Sequence, residues 1–215
     1  PHHDPISGLN IINTLGAIHS LNQSVLEQAQ QQWQPKWIHW PRPWHGILLG
    51  GGGIHQLKQQ YAQLQQAIEA QPETQCSILC TTSRRTPKTV AKLFRQLLNK
   101  YQGFVHCQQL AEQNTTQSQE NPYLGILSCA DQLWVSADSV NMICESLATN
   151  KPIQLLGSSE RKNHLNFTNK LYELNLIKDG QRQSQHQRQS SKLSSDIYPP
   201  RSGLVDIHGQ DLAAI

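Results

Sequence analysis

Residues 121–156 have the sequence NPYLGILSCADQLWVSADSVNMICESLATNKPIQLL, which alternates helical patterns with short apolar runs. The runs QLWVS (132–136) and PIQLL (152–156) have the length and composition of buried strands. The residues between them carry one apolar helical stripe, formed by Val140, Ile143, Cys144 and Leu147. We therefore predict a short helix over residues 121–130, a strand, a helix that begins at Asp138, and a second strand.

The same alternation extends in both directions along the chain. Further strands are predicted at GILL (46–49), CSILC (76–80) and GFVHC (103–107). Further helices are predicted over residues 54–70, 87–101 and 161–176. Strands that alternate with helices at this spacing form right-handed βαβ units. The predicted fold class is therefore α/β, a Rossmann-like parallel sheet with helices on both faces.

Composition divides the chain into four parts. Residues 1–45 combine a helical pattern over residues 24–33 with the Pro/Trp-rich connector PKWIHWPRPWH, and we expect a loosely docked remnant of a preceding domain with a linker. Residues 46–180 form the predicted Rossmann-like domain. Residues 181–203 are rich in Gln, Ser and Arg, which predicts a flexible insert, and residues 204–215 are expected to begin a terminal helix.

Composition also argues against several classes of protein. The net charge of +3 is too small and too dispersed for a nucleic-acid-binding surface. The five cysteines form no C-x-x-C pair, and four lie in or beside apolar runs, which indicates reduced core residues in a cytoplasmic protein. A P-loop motif is absent, and neither a metal site nor a cofactor is expected. Because the chain starts with Pro1 and its single methionine is Met142, we expect it to be part of a longer protein.

Four consecutive glycines follow the first predicted strand. Because residues 50–53 have no Cβ atoms, their backbone can approach a ligand closely. Gly51 and Gly52 are therefore candidates to donate N–H groups to a phosphate. The alternative is a tight turn without a ligand.

A basic segment follows the second predicted strand. Arg84 and Arg85 lie between Ser83 and Thr86, just before a helix N-terminus, where anions are favoured. Thr86 is the predicted N-cap and Pro87 the first helical residue. The segment is either an anion site or an exposed basic turn.

The predicted helix that begins at Asp138 also carries a polar stripe. Asp138, Asn141 and Glu145 fall on the side opposite the apolar stripe. Carboxylates at these positions can accept hydroxyl groups of a ribose, while Ser139 and the helix N-terminus meet phosphates. The alternative is that Asp138 is an N-cap and Glu145 a solvated side chain.

Three segments of the sequence resemble one known family. They are TTSRRTP (81–87), the segment over residues 121–153, and the opening PHHD…NIINTLGAIH (1–19). Together they resemble the mitochondrial fission proteins of the elongated-mitochondria type, in particular the bacterial members. That resemblance implies a GT-B-like two-domain architecture, of which this chain holds the C-terminal domain and lacks most of the N-terminal one. Asn141 departs from the pattern, since the family more often has serine there.

The resemblance also implies a ligand and a site. GT-B enzymes bind a nucleotide sugar in the C-terminal domain, which assigns the binding site to the glycine loop, the 83–86 segment, Asp138, Ser139 and Glu145. His3 and Asp4 would face the cleft and are the candidates for catalysis. The implied partner is a nucleoside-diphosphate sugar, bound without a metal or cofactor. The implied location is cytoplasmic, with peripheral association at the inner face of the membrane.

Two functions remain open on the sequence. One is a GT-B-like module that binds a nucleoside-diphosphate sugar, with metal-independent glycosyl transfer as its activity. The other is a non-catalytic scaffold that retains the fold to recruit a partner. A scaffold needs the apolar stripe but has no use for carboxylates and paired arginines in one cleft. The positions of those side chains therefore discriminate between the two functions.

Overall fold

The computed structural model describes residues 8–10, 14–52, 54–69, 76–107, 120–159 and 161–177. The strands are β1 (Trp44–Leu49), β2 (Ser77–Thr82), β3 (Gln102–His106), β4 (Gln132–Ser136) and β5 (Ile153–Leu156). They form one parallel sheet in the order β3-β2-β1-β4-β5. The predicted insert over residues 181–203, the predicted terminal helix over 204–215 and the candidates His3 and Asp4 lie outside the described residues.

Six helices are described, one before the sheet and five between or after its strands. They are α1 (Gln23–Trp37), α2 (Ile54–Glu69), α3 (Lys88–Leu98), α4 (Tyr123–Cys129), α5 (Val140–Leu147) and α6 (Lys162–Glu173). Strands and helices alternate from β1 to α6, and all strands that pair are parallel. The predicted α/β, Rossmann-like parallel sheet is confirmed. Among the described residues, no helix has both the length and the apolar character needed to span a membrane.

Two apolar cores cover the two faces of the sheet. Successive side chains of a strand point to opposite faces. Leu48 of β1 accordingly belongs to the buried cluster that contains residues of α1, α4, α5 and α6, whereas its neighbours Ile47 and Leu49 belong to the cluster that contains residues of α2 and α3. Helices therefore lie on both faces, and each face has its own buried cluster.

The first helix is longer and more firmly docked than its sequence indicates. It continues through Pro35 to Trp37, where a connector is predicted. Trp33 and Trp37, one turn apart, are 5% and 1% exposed and belong to the core on that face. A Cβ on Gly125 of α4 would lie 2.3 Å from Cγ of Trp33, so the glycine lets the two helices approach closely. The prediction of loose docking is wrong for α1, because its two indole rings are buried in the core. Their packing also outweighs the unfavourable effect of Pro35 on the helix. The division of the chain at residue 45 stays a prediction.

Candidate functional site

The order of the strands reverses between β1 and β4. The chain leaves β1 toward α2 on one face of the sheet and leaves β4 toward α5 on the other face. In parallel sheets, the crevice at the carboxyl ends of two such strands is the usual place for a ligand. The loop after β1 contains glycines 50–52, which we call the glycine loop, and the loop after β4 contains Asp138.

The Asp138 carboxylate connects these two loops. Its Oδ2 accepts a hydrogen bond from the backbone N–H of Gly51 at 3.2 Å, and its Oδ1 accepts one from Nε2 of Gln60 at 3.3 Å. Asp138 precedes the N-cap of α5, which is Ser139, so the prediction that the helix begins at Asp138 is wrong. The carboxylate binds the glycine loop because that loop presents an unpaired backbone donor at the neighbouring strand end.

The backbone of Gly50 is also bound on both sides. Its N–H donates to Oγ of Ser136 at 2.8 Å, and Ser136 in turn donates to Oε1 of Gln60 at 3.1 Å. Its carbonyl oxygen accepts the hydroxyl proton of Thr86 at 2.6 Å. Ser136 and Gln60 are fully buried and Thr86 is 1% exposed. The glycine loop is therefore held by side chains of β4, α2 and the 83–86 segment.

Thr86 is not the N-cap of α3, so that prediction is wrong. The helix begins at Lys88 with Pro87 at the N-cap position, and no side chain at that position accepts a hydrogen bond. The hydroxyl of Thr86 is directed to Gly50 instead, and Oγ of Ser83 lies 3.3 Å from it. Ser83 Oγ also accepts the N–H of Arg85 at 3.2 Å. The loop is stabilised by bonds across strands rather than by a cap, because a buried Gly50 carbonyl requires a donor.

Close packing explains why the loop consists of glycine. A Cβ on Gly50 would lie 2.3 Å from Oδ1 of Asp138. A Cβ on Gly51 would lie 2.3 Å from Cβ of Arg85 and 2.8 Å from its backbone carbon. The glycine loop thus lies between Asp138 and Arg85, and three of the sequence-predicted segments meet there. The side chains of Arg84 and Arg85 are exposed beside it.

Glu145 lies in a second polar contact, on α5. Its Oε2 accepts a hydrogen bond from the phenol of Tyr123, the first residue of α4. Burial, and then the negative charge of Glu145, raise the pKa of Tyr123 well above its ordinary value, so this phenol remains protonated. Asn141 is exposed on the same helix. The predicted polar stripe is therefore divided, since Asp138 contacts the glycine loop and Glu145 contacts α4.

The sulfur and metal chemistry of the described residues is simple. All five cysteines are buried free thiols, as expected for core residues. Burial raises the pKa of each of them, so the thiol form is favoured. No group of three His, Cys, Asp or Glu side chains that could hold a metal ion occurs in the part of the chain that the structure describes.

Comparison with known proteins assigns a family. The family model described as Mitochondrial fission ELM1 matches residues 1–196. The chain belongs to this family. A curated member, the mitochondrial fission protein ELM1 of Arabidopsis thaliana, is 26% identical over 160 residues, a region that covers 71% of this chain and 34% of the plant protein. The chain thus spans about a third of the length of that relative. No solved structure matches the chain.

Three polar residues of this family member were not singled out from its sequence. Ser136 is the last residue of β4, and its position at the carboxyl edge of the sheet is a usable signal. Gln60 lies three residues after Leu57 and four before Leu64, on the buried side of α2. A polar residue on an apolar helical stripe is a signal that could have identified it. Tyr123 has no such signal, because its contact with Glu145 depends on how two helices pack.

Proposed function

We propose that this chain is a GT-B-like module that binds a nucleoside-diphosphate sugar. The observation that carries the proposal is a set of hydrogen bonds that join three loops at the carboxyl edge of the sheet, beside the point where the strand order reverses. Asp138 accepts from Gly51, and Thr86 donates to Gly50, so hydrogen bonds link the loops after β2 and β4 to the loop after β1. These polar groups lie in the crevice that parallel sheets commonly use for ligands, and pairing with one another removes the desolvation cost of burying them.

The diphosphate is assigned to the arginines. The N–H groups of Gly50 and Gly51 are already bonded to Ser136 and Asp138, so the prediction that Gly51 donates its N–H to a phosphate does not hold in this structure. Arg84 and Arg85 are exposed beside the loop and precede the N-terminus of α3. Guanidinium groups form charge-assisted bonds to phosphate oxygens, and a helix N-terminus adds a favourable partial charge. In this proposal Asp138 and Gly52 shape the loop, and Ser139 faces phosphate at the start of α5.

The ribose is assigned to Glu145. A carboxylate can accept two hydroxyl groups at once. Glu145 is half-buried and lies on the helix that follows Asp138, where Asn141 is exposed and available to the same ligand. For the full-length protein the proposal extends to glycosyl transfer, in which Arg84 and Arg85 stabilise the departing diphosphate without a metal ion.

A non-catalytic scaffold is the second candidate function. This function is favoured because the N–H groups of Gly50 and Gly51 already donate to Ser136 and Asp138. A loop whose backbone groups are paired within the protein needs no ligand. The plant relative is named as a mitochondrial fission protein, which describes a cellular process and no reaction. A scaffold would use the outer surface of the helices and leave the loops at the carboxyl edge empty.

Calorimetric titration with nucleoside diphosphates and their sugars tests the proposal. The decisive variant replaces Arg84 and Arg85 by alanine, and each lost charge-assisted bond should cost about 1.5–3 kcal/mol of binding free energy. The matched control replaces Lys92 and Arg95, two exposed cations further along α3, and should bind like the wild type. Unchanged affinity in the first variant removes the arginines from the site. If the wild type binds none of the ligands, the scaffold is the correct function.

A further inference from the structure

We propose that Tyr123 is a positioning residue that orients Glu145 and thereby makes the site discriminate ribose from deoxyribose. The inference rests on the proposed function, because it assigns the Glu145 carboxylate to the nucleotide. It adds a residue of α4 to a site otherwise built from loops and from α5. The specificity it predicts, for a ligand with two neighbouring hydroxyl groups, does not follow from the presence of Glu145 alone.

The geometry gives each oxygen of Glu145 a different environment. Oε2 accepts the phenol proton of Tyr123. None of the residues that the structure describes donates a hydrogen bond to Oε1. A carboxylate has about four lone-pair positions, so one bond from Tyr123 leaves room for two further donors. The phenol therefore restricts rotation of the carboxylate without using up its capacity to accept.

Tyr123 itself is well placed to be rigid. It is the first residue of α4, its N–H donates to Oδ1 of Asn121 at 3.1 Å, and its ring packs against the core on this face of the sheet. The partial burial of the ring keeps the phenol protonated, so Tyr123 acts as a fixed donor throughout the physiological pH range. A rigid donor holds Oε2 in place and so limits the orientations that the carboxylate can take.

A fixed carboxylate recognises the spacing of two hydroxyl groups, whereas a freely rotating one accepts a single hydroxyl equally well. A site built to pair a hydroxyl strongly rejects the analogue that lacks it, because buried polar groups are then left unpaired. The Tyr123 hydroxyl should therefore contribute to the preference for a ribonucleotide more than to the overall affinity. A bond that merely joins α4 to α5 would affect stability and leave this preference unchanged.

The test compares ADP, GDP, CDP and UDP with their 2′-deoxy counterparts, in the wild type and in Tyr123→Phe. The wild type should prefer the ribose form, and Tyr123→Phe should reduce that preference by roughly fivefold or more, the equivalent of about one net hydrogen bond. Tyr101→Phe is the matched control, because its phenol bonds the carbonyl oxygen of Ile68 at the amino edge of the sheet. It should retain the full preference.

Each remaining outcome is informative. If Tyr123→Phe melts at a lower temperature but keeps the wild-type preference, Tyr123 is structural and the inference is overturned. If the wild type binds nucleotides without preferring ribose, the inference is overturned while the proposed function survives. If the wild type binds none of the eight probes, the proposed function fails, and the inference fails with it. Phenylalanine preserves the ring that packs in the core, so the variant is expected to fold.

Discussion

The hydroxyl of Thr86 donates a hydrogen bond to the carbonyl oxygen of Gly50 across 2.6 Å, and both residues are buried. This bond joins the loop after β2 to the loop after β1, and these two strands are neighbours in the sheet. Together with the bond from Gly51 to Asp138, it determines the shape of the glycine loop. The candidate site is thus a set of backbone groups held in place by the side chains of Thr86 and Asp138, which are distant in the sequence.

Replacement of Thr86 by valine should destabilise the protein without changing its fold. Valine has nearly the same shape but cannot donate, so the buried Gly50 carbonyl loses its partner. The free energy of unfolding should fall by about 1–3 kcal/mol, the cost of an unsatisfied buried polar group. Denaturant titration measures this loss. Thr86→Ser keeps the hydroxyl and should recover most of the stability, and an equal loss in both variants would contradict the role of the bond.

Replacement of Gly51 by alanine should disturb the loop more than the same change at Gly52. At Gly51 the added methyl group would lie 2.3 Å from Cβ of Arg85 and 2.8 Å from its backbone carbon. At Gly52 the nearest atom, also at 2.3 Å, is the terminal oxygen of the Gln56 side chain, which can move. Overpacking against backbone typically costs about 1–3 kcal/mol. Unfolding of the two variants side by side provides the comparison, and equal stability would show that the loop is not tightly packed against Arg85.

The protein should lose stability as the pH falls below about 6.5, the ordinary pKa of histidine. His45 is 2% exposed, stacks on Trp134 and accepts a hydrogen bond at Nδ1 from Gln132. Burial lowers the pKa of His45, and the charge of Asp131 raises it by less. A base whose pKa is lower in the folded state binds fewer protons there than in the unfolded chain. Its stabilising contribution is therefore complete above the unfolded pKa and is lost as the pH falls toward the folded one.

His45→Gln isolates this effect. It removes one titrating group, so the slope of unfolding free energy against pH should decrease by up to about 1.4 kcal/mol per pH unit. His106, whose pKa is also lowered by burial, retains a slope of the same sign. A slope in His45→Gln identical to that of the wild type would show that His45 does not titrate in this window.

Replacement of Glu145 by glutamine should weaken nucleotide binding and spare the fold. The side chain keeps its shape, and its remaining carbonyl oxygen can still accept from Tyr123. It loses its charge and one acceptor, which should cost about 1–3 kcal/mol, roughly 5- to 150-fold in affinity. Calorimetry with a nucleoside diphosphate measures the affinity, and thermal unfolding checks the fold. Equal binding by the wild type and Glu145→Gln would remove Glu145 from the ribose site.

Local sequence patterns predicted the elements of the fold. Short apolar runs predicted the strands and period-three-to-four patterns predicted the helices, and both located the elements to within a few residues. They also placed the glycine loop, Arg84 and Asp138 after strands, because parallel strands end at one edge. The amino-acid sequence was less informative at the ends of elements, where a cap competes with other partners for the same side chain.

The tertiary structure decided which of these residues meet. Asp138 and Gly51 are 87 positions apart, and their bond exists because β1 and β4 are neighbours in the sheet. No local period encodes that neighbour relation. The same reason applies to Thr86, whose hydroxyl binds Gly50 instead of capping α3. It also applies to Tyr123 of α4, which donates to Glu145 of α5. A short polar side chain bonds the nearest unpaired buried group, and only the assembled packing determines which group that is.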